Sequence, residues 1–206
     1  MLRTYEAVSI STVEFQSILA ERGLFTRRIE QAMAQAAISH YGQLRDNGNS
    51  YLEEHIYPVA ADVMDFYSRG KGPDDQDEDA IIASLLHDTV EDDPDFSLDE
   101  CRKFGMRVTE IVWRLTKIVD EDILYGDKLA DPEAPHVVRV IKSADRLNNL
   151  DSSIALLPKR AGKMRRYIKE TDDLYIPMAD TLPDPEYAER LRATVKLAKS
   201  TLELTA

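Results

Sequence analysis

The chain has 206 residues, of which 43% are hydrophobic and 31% charged, and its formal net charge at pH 7 is −12. This composition is typical of one globular domain, here residues 1–206, and excludes a disordered or low-complexity chain. The negative charge and the absence of Lys- and Arg-rich runs disfavour nucleic-acid polymers and membranes as partners. Without a signal peptide or an apolar stretch of about 18 residues, we expect a cytoplasmic protein.

Two short helices are predicted in the first forty residues. Ser11 and Glu14 have the spacing of a capping box ahead of an apolar segment, and Gly23 predicts the end of that helix. Thr26 predicts the start of a second helix, which runs to about His40.

A turn and a third helix follow. The Asn-Gly and Gly-Asn pairs at 47–49 predict the turn, in which Arg45 is the cation. Ser50 begins a second capping box and a helix that carries His55 on the same face as Val59. A lone histidine on an apolar face is more often a core residue than a ligand, so the spacing alone leaves both roles open.

The most informative stretch is the apolar run 81–86 and the hexapeptide after it, 87–92. The apolar period predicts one core-facing helix through Val90. Its other face then carries the polar residues His87, Asp88, Glu91 and Asp92. Acidic groups at a helix C-terminus oppose the helix dipole, and a bound cation offsets that repulsion. Imidazole and carboxylate together suit Mn, Fe, Zn or Mg; the alternative is a solvated acidic helix end.

The next segment contains two more helices and a long loop. A capping box at Ser97, a stop at Gly105 and apolar residues up to Leu115 predict the helices. Cys101 is the single cysteine, so an internal disulfide is excluded and core packing is its expected role. Residues 119–135 show no period, which predicts a loop that is either a lid or a surface insertion.

A helix from about residue 137 to 150 carries Lys142, Asp145, Asn149 and Ser152 on one face. The carboxylate of Asp145 interrupts an apolar segment and therefore needs a partner or a metal. The alternative is a surface pair with Lys142 or Arg146. Two further helices are predicted, about 159–176, ended by a proline, and 185–204.

Taken in order, His55, His87-Asp88 and Asp145 resemble the H…HD…D metal site of the HD phosphohydrolase superfamily. The flanking sequence resembles the hydrolase domain of RelA/SpoT proteins over about residues 30–182. The matching segments are 42–45, 51–55, 59–60, 83–92, 104–105, 115–117, 141–149, 170–171 and 176–179.

This resemblance implies an all-α fold, an HD-domain bundle of about eight to ten helices, with residues 183–206 as a C-terminal helix. It also implies a stand-alone small alarmone hydrolase with one Mn²⁺ per chain, other divalent transition metals being left open. The ligands it implies are His55, His87, Asp88 and Asp145.

The resemblance further implies that Glu91 and Asp92 position and deprotonate the attacking water. Arg45, Asn149 and Ser152 match positions that contact the nucleotide. The chain departs from the family at Asp46, where a Lys is common, at Asn148, which replaces a frequent His, and at residues 55–58, where the usual His-Pro pair is interrupted.

The implied reaction is hydrolysis of the 3′-pyrophosphate of ppGpp or pppGpp to GDP or GTP and pyrophosphate. One alternative is a phosphohydrolase of another 3′-phosphorylated nucleotide, such as ppApp or NADPH. Another is a non-catalytic nucleotide-binding or antitoxin-like protein. The sequence leaves open the preferred base, the metal bound in the cell, homo-oligomer formation and the biological trigger.

Overall fold

The computed structural model describes residues 8–68, 75–118 and 124–204, and in these residues the fold is all-α, as predicted. Eight helices have ten residues or more and four are shorter. They are α1 Thr12–Glu21, α2 Arg27–Ser39, α3 Tyr57–Ser68, α4 Asp75–Leu86, α5 Thr89–Asp92, α6 Leu98–Cys101, α7 Met106–Leu115, α8 Tyr125–Ala130, α9 His136–Ala155, α10 Ala161–Glu170, α11 Ile176–Ala179 and α12 Glu186–Leu204.

Three tighter or wider turns interrupt this pattern. A π-helical turn, Leu52–Ile56, leads into α3, and a second one, Thr171–Tyr175, joins α10 to α11. A 3₁₀ turn, Arg102–Phe104, connects α6 to α7. Among the described helices, none combines the length and the apolarity that a membrane span requires.

Side-chain caps begin several helices at the residues that the sequence predicts. Ser11 and Ser97 each form a complete capping box, with Glu14 and Glu100 respectively. The Thr26 hydroxyl accepts a hydrogen bond from the backbone N–H of Ile29 at the start of α2. These contacts satisfy N–H groups that have no partner within the helix.

The described residues pack as two compact units, one comprising residues 9–141 and the other formed mainly by residues 142–204. We call them the N-terminal and the C-terminal unit. The prediction that residues 1–206 form a single domain stays a prediction.

Helix α4 is central to the N-terminal unit, where it packs against α2, α3 and α7. Its apolar residues Ile81, Ile82, Leu85 and Leu86 are fully buried, as the sequence predicts. Burying each such side chain contributes about 1.5–3 kcal/mol. The end of α4 is therefore held firmly in position.

In the C-terminal unit, a buried cation lies against two aromatic rings. The guanidinium carbon of Arg146 is 3.9 Å from the centroid of Tyr175 and 4.7 Å from that of Tyr167. Arg146 Nη2 also donates to Glu170 Oε2 at 2.9 Å. Aromatic faces and a carboxylate together compensate for removing the charge from water.

Three helix predictions need correction. The helix predicted through Val90 ends at Leu86, and a separate turn of helix begins at Thr89. The loop predicted at 119–135 contains α8, although residues 119–123 lie outside the described residues. Pro177 does not end a helix but lies in the first turn of α11, directly after the π-helical turn Thr171–Tyr175.

Candidate metal centre

Helix α4 ends at Leu86 and α5 begins at Thr89, so His87 and Asp88 lie at a break between the two helices. Two side chains stabilise this break. Thr89 Oγ1 donates to the Leu86 carbonyl at 2.7 Å, and His87 Nδ1 lies 2.8 Å from the Ser84 carbonyl. Both contacts satisfy carbonyls near the end of α4 that the helix itself leaves unpaired. The break, and not a continuous helix face, therefore determines where His87 and Asp88 project.

His55 reaches the same region from the π-helical turn that precedes α3. Its side chain is fully buried, and its ring lies 4.8 Å from that of Tyr51. A π-helical turn widens the backbone by one residue and is frequent at functional sites, because it redirects a side chain without ending the helix.

The side chains of His55, His87 and Asp88 converge, each offering one ligand atom, and these atoms lie within 4.8 Å of one another. His55 Nε2 and His87 Nε2 are 3.3 Å apart. Asp88 Oδ2 is 3.2 Å from each of these nitrogens. The Tyr51 hydroxyl donates to the same oxygen at 2.5 Å, which fixes the orientation of the carboxylate.

The protonation of His87 suits a metal ligand. A carbonyl oxygen only accepts hydrogen bonds, so Nδ1 must donate to the Ser84 carbonyl. In the neutral ring the lone pair is therefore on Nε2, the atom beside His55 and Asp88. A histidine that donates its other ring N–H to a carbonyl is the usual arrangement at metal sites. The donor set is appropriate for a divalent transition metal.

The charge state of the Asp88 carboxyl also suits a metal ligand. Burial favours the neutral form of the carboxyl, but positive charge on the His87 ring, when that ring is protonated, and hydrogen bonds from His87 and His55 outweigh this effect. They hold the pKa of Asp88 well below its ordinary value. The carboxylate is therefore ionised near neutral pH, as a ligand must be.

Glu91 and Asp92, the predicted water-activating pair, lie on α5 and are both exposed. The backbone N–H of Lys117 donates to Glu91 Oε1 at 2.5 Å. Gln43 Nε2 donates to Asp92 Oδ2 at 2.9 Å. Neither carboxylate belongs to the group formed by His55, His87 and Asp88, so the predicted convergence of four polar side chains on one helix face is wrong.

A buried histidine that the sequence does not single out lies behind Asp92. His40 Nδ1 is 2.6 Å from Gln43 Oε1, and its ring is 5.1 Å from that of Tyr51. Burial lowers the pKa of His40, although the contact with Gln43 and the carboxylates of Asp88 and Asp92 oppose this. The ring is therefore neutral at pH 7 and donates from Nδ1, which orients the Gln43 amide toward Asp92.

Arg45 lies in the predicted turn, with its guanidinium carbon 5.6 Å from the Tyr51 ring centroid. Buried Glu54 accepts hydrogen bonds from the side-chain amides of Asn47 and Asn49, which ties the turn to the π-helical segment. Nothing in the sequence pattern indicates this role for Glu54, because its partners become apparent only when the turn has formed.

The remaining predicted site residues belong to the C-terminal unit. Asp145 accepts hydrogen bonds from Lys142 Nζ and Asn149 Nδ2, both at 2.5 Å, as their predicted common face requires. The alternative pair of Asp145 with Lys142 is thus present, but both side chains are buried and not on the surface. Ser152 Oγ donates to the Asn148 carbonyl at 2.9 Å.

No protein-family model matches the chain. The chain is 30% identical over 216 aligned residues to the guanosine-3′,5′-bis(diphosphate) 3′-pyrophosphohydrolase of Aquifex aeolicus, covering 92% of this chain and 29% of that protein. It is 31% identical over 168 residues to the bifunctional (p)ppGpp synthase/hydrolase SpoT of Escherichia coli, covering 76% of this chain and 22% of that protein.

A third curated relative is the GTP pyrophosphokinase of Streptomyces coelicolor, 32% identical over 76% of this chain and 18% of that protein. The chain thus spans less than a third of the length of each of these relatives.

A solved structure of a metazoan SpoT orthologue, described as hydrolysing ppGpp, has the same fold. Its TM-score is 0.63 and its identity 19%, covering 84% of this chain and 96% of that one. Over most of its own length the chain is therefore similar in sequence to part of the ppGpp 3′-pyrophosphohydrolase and SpoT proteins, and its helical fold is the fold of the metazoan SpoT orthologue.

Proposed function

We propose that the chain is a metal-dependent hydrolase that removes the 3′-pyrophosphate of ppGpp or pppGpp, releasing GDP or GTP and pyrophosphate. The observation that carries this proposal is the convergence of His55, His87 and Asp88 in a homologue of ppGpp hydrolases. The relatives from Aquifex aeolicus and Escherichia coli are named as hydrolases of ppGpp or (p)ppGpp, and this supports the substrate class.

The metal is one Mn²⁺ per chain, held by His55, His87 and Asp88. Two imidazole nitrogens and a carboxylate oxygen suit Mn²⁺ and also other divalent transition metals. Asp145 as a fourth ligand stays a prediction from the resemblance. A bound ion supplies Lewis-acid stabilisation of the negative charge that develops on the phosphoryl group.

Glu91 and Asp92 are the groups that accept the proton of the attacking water. The Lys117 backbone N–H donates to Glu91 Oε1, and the Gln43 side-chain amide donates to Asp92 Oδ2. The water oxygen bonds to the phosphorus next to the ribose, the bond from that phosphorus to the 3′ oxygen breaks, and the 3′ oxygen regains a proton.

Arg45 binds the nucleotide phosphates, a role that guanidinium groups perform through paired hydrogen bonds. Its position over the Tyr51 ring connects it to the residue that holds Asp88. Contacts of the nucleotide with Asn149 and Ser152 stay predictions from the resemblance.

The proposal is tested by incubating the purified protein with ppGpp and Mn²⁺ and measuring GDP and pyrophosphate. We expect turnover that chelation abolishes and that Mn²⁺ restores. We also expect Asp88→Ala to lose at least about a hundredfold in kcat. Asp95→Ala removes an exposed carboxylate nearby and is the matched control, with activity unchanged. Full activity of Asp88→Ala contradicts the site assignment.

A second candidate function is hydrolysis of a different 3′-phosphorylated nucleotide, such as ppApp or NADPH. The observation that favours it is Asp46, an exposed acidic residue that follows Arg45, at a position where the resemblance to RelA/SpoT hydrolase domains leads us to expect a Lys. Assaying the three nucleotides in parallel separates the candidates, and Asp46→Lys is expected to favour ppGpp if the position sets specificity. Tight binding without turnover of any nucleotide instead indicates a non-catalytic protein.

A further inference from the structure

Lys128 is a large charged side chain that is fully buried in the N-terminal unit. Its ammonium group donates to the Thr116 carbonyl at 2.7 Å and to the Trp113 carbonyl at 3.3 Å. It also lies 5.2 Å from the Trp113 ring centroid. An ammonium is costly to bury, so this placement at the end of α7 requires an explanation.

The Thr116 carbonyl and the Lys117 N–H belong to the same peptide unit. In a trans peptide these two groups point in opposite directions. Lys128 is bonded to the carbonyl side of the unit, and Glu91 Oε1 accepts from its N–H side at 2.5 Å. One rigid peptide plane thus lies between a buried cation and an exposed carboxylate.

A cation on the carbonyl oxygen polarises the whole amide group and strengthens the hydrogen bond that its N–H donates. This effect is significant for Glu91, because its side chain is exposed and each hydrogen bond to its carboxylate narrows the range of rotamers that it samples. A charge-assisted bond from a fixed backbone group restricts that freedom.

We infer that Lys128 is a positioning residue for hydrolysis, which acts through the Thr116–Lys117 peptide unit to hold the carboxylate of Glu91. It touches neither substrate nor metal. The inference rests on the proposed function of Glu91 as a proton acceptor, and it names a residue 37 positions away that sets the orientation of that group.

The alternative is that Lys128 only caps the last carbonyls of α7, in which case its loss lowers stability but leaves the orientation of the Glu91 carboxylate unchanged. Such a cap contributes to stability through the helix dipole. Loss of such a cap should change Glu91 no more than the loss of any other buried cation in this unit does. Arg139 provides the matched control, because it is also buried and donates to a backbone carbonyl, that of Asp131, at 2.8 Å.

The test compares Lys128→Met and Arg139→Met in the full chain by amide NMR and by kinetics. In Lys128→Met, we expect the Lys117 amide proton to move upfield and to exchange faster with solvent. We expect kcat for ppGpp to fall about tenfold with KM changed less than about twofold. In Arg139→Met, the Lys117 amide and kcat should stay as in the unmutated protein.

The outcomes separate the inference from the function on which it rests. If the unmutated protein does not hydrolyse any nucleotide, the proposed function fails, and the positioning role of Lys128 fails with it. If the protein is active and Lys128→Met changes neither the Lys117 amide nor kcat more than Arg139→Met does, the inference alone is overturned. If Lys128→Met does not fold, Lys128→Gln takes its place, because glutamine keeps an N–H donor but lacks the charge. Its Lys117 amide and its kcat are then compared with those of Arg139→Met.

Discussion

The Nε2 atoms of His55 and His87 lie 3.3 Å apart, although 32 positions separate the two residues in the sequence. His87 donates from Nδ1 to the Ser84 carbonyl, so its neutral ring has only a lone pair to offer at Nε2. With Asp88 Oδ2 at 3.2 Å from both nitrogens, the three groups form a compact donor set. The break between α4 and α5 creates this arrangement.

The first prediction concerns that break. Thr89→Val removes the buried hydroxyl that bonds to the Leu86 carbonyl. We expect the free energy of unfolding to fall by about 1 kcal/mol, since one buried hydrogen bond is lost. We also expect affinity for Mn²⁺ to fall about tenfold, because His87 and Asp88 lose support. Calorimetric titration with Mn²⁺ and denaturant unfolding measure the two effects.

Thr171→Val is the matched control for this change. Thr171 is also fully buried, and its hydroxyl donates to the Tyr167 carbonyl at 2.6 Å in the C-terminal unit. A similar loss of stability with unchanged Mn²⁺ affinity is expected. If both variants lose affinity equally, the effect is one of general stability and the role assigned to the break is wrong.

The second prediction concerns the support of Asp92. Gln43→Glu keeps an acceptor for His40 Nδ1 but replaces the amide donor to Asp92 with a like charge. We expect kcat for ppGpp to fall about tenfold or more, with little change in KM, because the carboxylate rotates away from its position. Steady-state kinetics measure this change.

Gln35→Glu is the control for the added charge. Gln35 lies on α2 and bonds with Ser39 and Lys103, and it has no described contact with Asp92. Its substitution should leave kcat within about twofold of the original value. An unchanged kcat in Gln43→Glu shows that the orientation of Asp92 does not limit the reaction.

Much of the fold follows from local signals in the sequence. The capping boxes at Ser11 and Ser97 form because a hydroxyl and a carboxylate three residues apart satisfy N–H groups at any helix start. The apolar period of α4 predicts its buried face for a similarly local reason.

The geometry of the site depends on contacts between distant segments, which no local pattern contains. The spacing of apolar residues up to Val90 predicts one continuous helix. In the structure, the side chains of Thr89 and His87 instead form hydrogen bonds with the carbonyls of Leu86 and Ser84, and the helix ends at Leu86. Tyr51 bonds to Asp88 across 37 positions, and Gln43 to Asp92 across 49. The residue types of the site were predictable from the motif, but the residues that orient them were not.

The third prediction concerns Cys101. Burial raises the pKa of this thiol to about 11, although the Thr109 hydroxyl and Lys103 oppose the shift. At pH 8 the thiol is therefore neutral and enclosed, and we expect iodoacetamide to modify it only when the chain is unfolded. Mass spectrometry of native and guanidinium-treated protein measures the modification.

The same shift has a consequence for stability. The pKa of the Cys101 thiol is about 9 in the unfolded chain and about 11 in the folded protein. Below pH 9 the buried neutral thiol therefore contributes fully to the free energy of unfolding, and this contribution is lost as the pH rises through 11. Unfolding free energy should therefore decline less steeply over this range in Cys101→Ala. In the alkylation experiment, rapid modification of Cys101 by iodoacetamide in the native protein at pH 8 would contradict the burial of this residue.

The most direct test of the metal centre is the stoichiometry and affinity of Mn²⁺ binding by equilibrium dialysis with elemental analysis. We predict about one ion per chain in the unmutated protein and at least about tenfold weaker binding in His55→Ala, His87→Ala and Asp88→Ala. His136→Ala, which removes an exposed histidine, should bind as the unmutated protein does. Unchanged binding in all three site variants would contradict the assignment of the metal to His55, His87 and Asp88.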